Sequence, residues 1–296
     1  MTSFLGLPAL AAVMVAYVAL KCSNLSRVDL AAKLLLTTWV LVTATIVTAA
    51  ALYSVAWMVP AERALWCRRI LGHSVDHRPV AGLVLLGILA FVAARASWVT
   101  RKILRMWRAE AIGRTPIDIE ESDEVYAFAV PRLFPGRGRS RGSIVVSTGM
   151  LSALSANERS ALFAHERAHL RFAHHRYLLT GQILVAVLPP LRPMIDRLDW
   201  LLERWADEAA AREIGDRDVV ATAIAHAALS STDRPAPVFL AFGSDSVTAR
   251  VEALFEPRQA RSVTANLLLA SSVVAALFAA VTQLHHLFEV VQQMAQ

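Results

Sequence analysis

Four stretches of this chain are apolar enough to leave water as single helices, and that constrains its fold more than any other feature. Crossing a hydrocarbon core takes roughly 20 apolar residues in a helix. The runs Phe4 to Leu20, Leu34 to Val59, Val80 to about Val99, and Val263 to about Leu284 come close to that length. Of 296 residues, 56% are hydrophobic and 18% charged, and the mean hydropathy is +0.46. Such a balance lies outside the soluble globular range. The expected fold class is therefore mainly α, a multi-pass membrane protein with about four transmembrane helices and one α+β domain with a small sheet between the third and fourth. The expected organisation is residues 1–100 as a three-helix membrane region, 101–262 as a domain outside the bilayer, and 263–296 as a last span with a short tail.

The first run has no basic residue ahead of it and is followed by Lys21 without a small-residue cleavage pattern, so it reads as a retained helix. A fifth apolar run, Tyr177 to Pro190, is short and closes on two prolines, which suits a re-entrant, interfacial or buried segment. Lysine and arginine set the orientation. With the amino terminus outside, the inner flanks hold Lys21, Arg27 and Lys33, then Arg95 to Arg108, then Arg250, Arg258 and Arg261, against Arg63, Arg68, Arg69 and Arg78 in the outer loop. The middle domain is then cytoplasmic. The stripe Arg101 to Arg108 reads as an anchor on anionic lipid, and Trp57, Trp98 and Trp107 as an aromatic belt. The bilayer is thus an expected partner. Nucleic acid is not, although the pI is near 9.9, because the basic residues flank spans and form no recognisable binding module. Cys22 and Cys67 fall on opposite sides of the bilayer, so no disulfide joins them.

Within the middle domain, Val125 to Val130 and Ser143 to Ser147 read as two strands flanking a loop, Pro135 to Gly142, in which Gly and Arg alternate, with Gly149 ending the second strand. Ser155 and Glu158 form a capping box that opens a helix carrying His165, Glu166 and His169. Residues four apart share a helix face, so the two histidines can hold one metal ion while Glu166 sits beside the water that ion activates. A second helix, about Asp196 to Arg212 and stopped by Gly215, brings Glu203 and Asp207 one turn apart. Two histidines, a carboxylate and an open position make the donor set of a catalytic zinc, one Zn2+ per chain. His174 and His175 fall beyond the face that holds the metal, where a place behind a ligand or at the membrane interface suits them.

The runs Ile144-Val-Val-Ser-Thr-Gly-Met150, Ala164-His-Glu-Arg-Ala-His169 and Glu203-Arg-Trp-Ala-Asp207 resemble the gluzincin metallopeptidases, with the strand, HExxH helix and ExxAD helix of HtpX and the CAAX prenyl proteases. The layout of spans resembles the BlaR/MecR peptidases, although only about a dozen residues follow the last span, where that family carries a sensor domain. The resemblance implies a cytoplasmic zincin-like domain in a bacterial plasma membrane. It implies that His165, His169 and Glu203 bind zinc, that Glu166 is the general base, and that Asp207 steadies a ligand. It also implies that the strand Ile144, Val145, Val146 is a sheet edge that pairs with extended substrate. Arg167 departs from the pattern by charging a position usually uncharged there, and Ser244 stands where a histidine is usual, before Arg250. Arg250 and His226 are then candidates to stabilise the oxyanion, against a salt bridge for the first and an ordinary helix position for the second. The function implied is an integral-membrane zinc endopeptidase acting on a cytoplasmic or membrane-proximal protein, either a transcriptional repressor or misfolded membrane proteins. The alternative is a membrane signalling or scaffold protein with a structural metal.

Overall fold

The structure is a computed structural model that describes residues 27–58, 78–110, 115–132, 142–230, 244–255 and 263–294. The expectations placed on Phe4 to Leu20, on Cys22 and Cys67, and on most of the loop Pro135 to Gly142 lie outside those residues. The chain divides into two units, one within residues 1–99, 182–194 and 261–296, the other within 100–181 and 195–260. Residues 182–194 thus fall with the apolar unit, a division the sequence pattern does not display.

In the first unit, α1 (Val28–Met58) and α9 (Val263–Met294) lie along one another, with Leu35, Trp39, Leu269 and Ala276 almost wholly buried. Both faces are rich in Ala, Ser and Thr, which lets two backbones approach closely. A buried hydroxyl pair, Thr38 Oγ1 and Ser272 Oγ at 3.2 Å, ties them. The start of α2 (Pro79–Glu110) meets the end of α1 at Gly82, where a Cβ would fall 2.7 Å from Ser54 O and from Met58 Cγ. Among the described residues two helices are long and apolar enough to cross a membrane, Val28–Met58 and Pro79–Arg108, and α9 holds a shorter apolar stretch, Asn266–Thr282. The outward side chains of α2, Val80, Leu83, Val84, Ile88 and Phe91, are exposed.

In the second unit, a three-stranded sheet is built from β1 (Ile117–Glu120), β2 (Ala127–Pro131) and β3 (Gly142–Ser147) in the order β1-β3-β2. β3 runs parallel to β1, with Ile117 opposite Ile144, and antiparallel to β2, with Ala129 opposite Ile144. This corrects the edge expected at Ile144, Val145 and Val146. Their strand is central, paired on both sides, and all three side chains are buried. Ile117–Glu120 alternates apolar and polar residues over only four positions, too short a run to be read as a strand from sequence, and pairing with it turns β3 inward. Gly149 does not end β3 as expected. It lies in the first turn of α3 (Thr148–Ala153), whose N-cap is Ser147, its hydroxyl accepting from Met150 N at 3.0 Å.

The helices that follow are α4 (Ala156–Arg171), α5 (His174–Val187), α6 (Arg192–Ile214), α7 (Arg217–Ser230) and α8 (Ser244–Phe255). Ala161 and Ala164 of α4 pack with Ala210, Ala211, Val220, Ala221 and Leu254 of α6, α7 and α8 in one apolar cluster. α6 begins four residues before the sequence reading, at Arg192, and ends where expected, with Gly215 at φ 81°.

Candidate metal centre

The capping box that opens α4 is present: Ser155 N donates to Glu158 Oε2 at 2.8 Å, and Glu158 N donates to Ser155 Oγ. From that start the helix period puts His165 and His169 on one face. Their rings meet at a centroid distance of 4.7 Å with the two Nε2 atoms 3.0 Å apart. α6 brings Glu203 to the same point, with Oε2 3.4 Å from His165 Nε2 and Oε1 3.4 Å from His169 Nε2. These three residues are the group of possible metal ligands found among the described residues.

The donor set fits a cation. Asp207 Oδ1 lies 2.9 Å from His165 Nδ1, a contact that favours a proton on Nδ1, so that the neutral ring turns the Nε2 lone pair toward the cluster. Two such ring nitrogens and a carboxylate, in contact and shielded from water, repel one another unless positive charge sits between them. Burial opposes a positive charge on His165, but Asp207 and Glu203 outweigh burial and push that imidazole up to about 10. Burial and the neighbouring charges leave His169 lowered to about 4.

Glu166 is buried on the same helix, and burial is the main reason its carboxyl rises to about 7. It also accepts a hydrogen bond from the Ala129 backbone of β2. Ala129 and Pro131 line a cavity of about 40 Å³ with Glu166, His169, His174 and Trp107. The strand beside the site is thus β2, whose outer edge is unpaired among the described residues.

Arg250, on α8, is drawn into the cluster as a clamp. Its Nε and Nη2 donate to the two Asp207 oxygens at 2.8 and 2.7 Å, and Nη1 lies 2.9 Å from Glu203 Oε2. Burial works against the charges on both carboxyls, and Arg250 together with the neighbouring histidines more than offsets it, holding each below its usual range. His226 is not brought to the centre. Its Nδ1 sits 2.7 Å from Glu158 Oε1, two helical turns before His165, because α7 packs on the opening turns of α4. Arg167, the unexpected charge in the motif, points outward to Glu213 at 2.6 Å. Trp107, expected in a lipid belt, is instead buried with its ring edge-on to His175 at 5.4 Å. Sequence reasoning missed the grip of Arg250 on Glu203; of the two places read for His174, behind a ligand or at the membrane interface, its Nδ1 lies 3.0 Å from His169 Nδ1. The spacing that could point to that grip is Glu203 and Asp207 at one turn, a pair of like charges that needs a cation beside them.

Residues 93–191 match the model of peptidase family M48. The chain is 32% identical over 73 residues to "Protease HtpX homolog" of Nitrosomonas europaea and 33% identical over 73 residues to "Protease HtpX" of Stenotrophomonas maltophilia. These alignments cover 25% of this chain and 23% and 24% of the relatives, so the chain spans about a quarter of their length. No solved structure matches the chain. His165, Glu166 and His169 lie inside the matched segment, whereas Glu203, Asp207 and Arg250 follow it and rest on the geometry alone. Over residues 93–191 the chain is therefore similar to the metallopeptidase family M48.

Proposed function

We propose that the chain is an integral-membrane, zinc-dependent endopeptidase. The observation that carries this reading is the convergence of His165 Nε2, His169 Nε2 and Glu203 within 3.4 Å of one another beside the buried Glu166. His165, His169 and Glu203 would hold the zinc, which when bound supplies Lewis acidity and brings a water into the range where it loses a proton near neutrality. Glu166 accepts that proton and delivers it to the departing amine, a task suited to a carboxyl whose burial already raises it. Asp207 holds His165 in the tautomer that presents Nε2, and Arg250 neutralises Asp207 and Glu203. With each of its three nitrogens on those carboxylates, Arg250 serves as a positioning residue. An extended peptide is the substrate class that suits the unpaired edge of β2 beside Glu166, since main-chain groups there can add a strand.

The lysine and arginine flanks favour an amino terminus outside, a cytoplasmic catalytic domain in a bacterial plasma membrane, and four spans in all. The target is then a cytoplasmic or membrane-proximal protein, a repressor or a misfolded membrane protein. The deciding comparison is the purified full chain against Glu166→Gln in detergent, with zinc content and cleavage of an unstructured protein measured together. Equal zinc and lost cleavage in the variant is the expected result; equal cleavage by both refutes the mechanism.

A further inference from the structure

His174 is almost wholly buried, its Nδ1 is 3.0 Å from His169 Nδ1, and its Nε2 is buried with no hydrogen-bond partner among the described residues. A helix that ran on through α4 would carry residue 174 about 140° round the axis from residue 169, at 3.6 residues per turn. The chain prevents this by breaking at Ala173, whose φ of 54° is a left-handed conformation that residues with a side chain seldom adopt. Phe172 N still bonds Ala168 O at 2.9 Å, and α5 restarts at once with Arg176 N on Ala173 O at 2.9 Å. The break is two residues wide, Phe172 and Ala173, and its result is to fold His174 back beneath His169. There the ring is held by Trp205, Phe172 and Tyr177 at centroid distances of 4.9, 5.9 and 6.3 Å.

We propose that His174 is a positioning residue that fixes the tautomer and ring orientation of His169, so that His169 Nε2 faces the metal site as an unprotonated donor. Two imidazole nitrogens at 3.0 Å share one proton, and the choice of owner decides what the far side of each ring presents. With the proton on His169 Nδ1 and His174 accepting, His169 Nε2 is a lone pair aimed at His165 and Glu203. With the reverse arrangement, His169 Nε2 carries a hydrogen into the cluster and cannot ligate. The surroundings of His174 select the first. Its own proton must then sit on Nε2, among aromatic rings whose faces weakly accept an N–H and give nothing to a bare lone pair. His165 receives the matching service from Asp207, so each histidine of the centre has its own partner on the side away from the cluster.

This inference rests on the zinc reading above, and the test separates the two. Zinc affinity is measured by competition with a chromophoric chelator on the full chain in detergent, in a Glu166→Gln background that removes self-cleavage. Beside it stand His174→Phe, which keeps an aromatic ring and loses the acceptor, and His174→Asn, whose Oδ1 occupies the place of Nδ1 and loses the ring. The expected result is that His174→Phe weakens zinc binding about 10- to 100-fold, the range found for partners of ligating histidines. His174→Asn keeps affinity within about threefold of the parent, and metal-free melting curves confirm that both variants fold. A packing role predicts the opposite order. Unchanged affinity in His174→Phe, or equal loss in the two variants, overturns the inference while the parent's zinc binding upholds the metal site. A parent that takes up no zinc overturns both.

Discussion

Replacing Arg250 with Met is the most direct probe of how this centre is held. The guanidinium lies between Asp207 and Glu203, 2% and 6% exposed, with contacts of 2.7 to 2.9 Å to both. Methionine fills much of the same volume and leaves two buried carboxylates facing each other and His165. Removing one partner of a buried ion pair costs about 3–5 kcal/mol, because the stranded charge keeps its desolvation penalty. At roughly 2–4 °C per kcal/mol for a domain of this size, the metal-free protein should melt about 6–20 °C lower. The assay is thermal unfolding of the full chain in detergent, followed by tryptophan fluorescence, with and without zinc. Zinc should recover part of the loss, since it returns positive charge to Glu203 but not to Asp207. Arg250→Met combined with Asp207→Asn should be less destabilised than the two single losses added together, because the second substitution removes the stranded charge. A metal-free Arg250→Met melting within about 2 °C of the parent would refute the view that Arg250 neutralises the centre.

Three further outcomes follow from the same geometry. Glu203→Ala should lower zinc affinity by more than the roughly 10- to 100-fold expected for a residue that only orients a ligand, read by chelator competition; unchanged zinc content removes Glu203 from the ligand set. The Asp207 carboxyl is lower in the folded chain than in the unfolded one, so its contribution is fully present above about pH 4 and is lost as pH falls through the folded value. Metal-free parent protein should therefore lose melting temperature more steeply below about pH 4 than Asp207→Asn, and parallel curves for the two would contradict the assignment. Ala173→Gly should relieve a left-handed conformation costing about 1–2 kcal/mol while adding about 0.5–1 kcal/mol of chain entropy, for a small net gain. A fall in melting temperature would show that Ala173 is not strained.

How far the centre was legible depended on the range of the interaction that builds each part. The capping box at Ser155 and Glu158 and the four-residue spacing of His165 and His169 are properties of one helix, written in adjacent residues, and both elements stand where the pattern placed them. Glu203 and Asp207 were legible as a pair because they also share one helix, and the aim of that helix at α4 came from the resemblance rather than from spacing. The central position of β3 was not legible. It depends on β1, whose Ile-Asp-Ile-Glu run is short and half exposed, so that only pairing makes it a strand.

The sequence by itself determined the class of the chain and the chemistry it can hold, since apolar length and helical period act locally and need no fold to be read. Only the tertiary structure decided which groups surround that chemistry. It moved the edge beside the site from Ile144–Val146 to β2, set Arg250 on Asp207 and Glu203, held His226 away on Glu158, and turned His174 under His169. The reason is the same in each case. Those residues lie on different elements or beyond a break with neither glycine nor proline to mark it, and their meeting is chosen by the packing of α4, α6, α7 and α8 and not by any spacing along the chain.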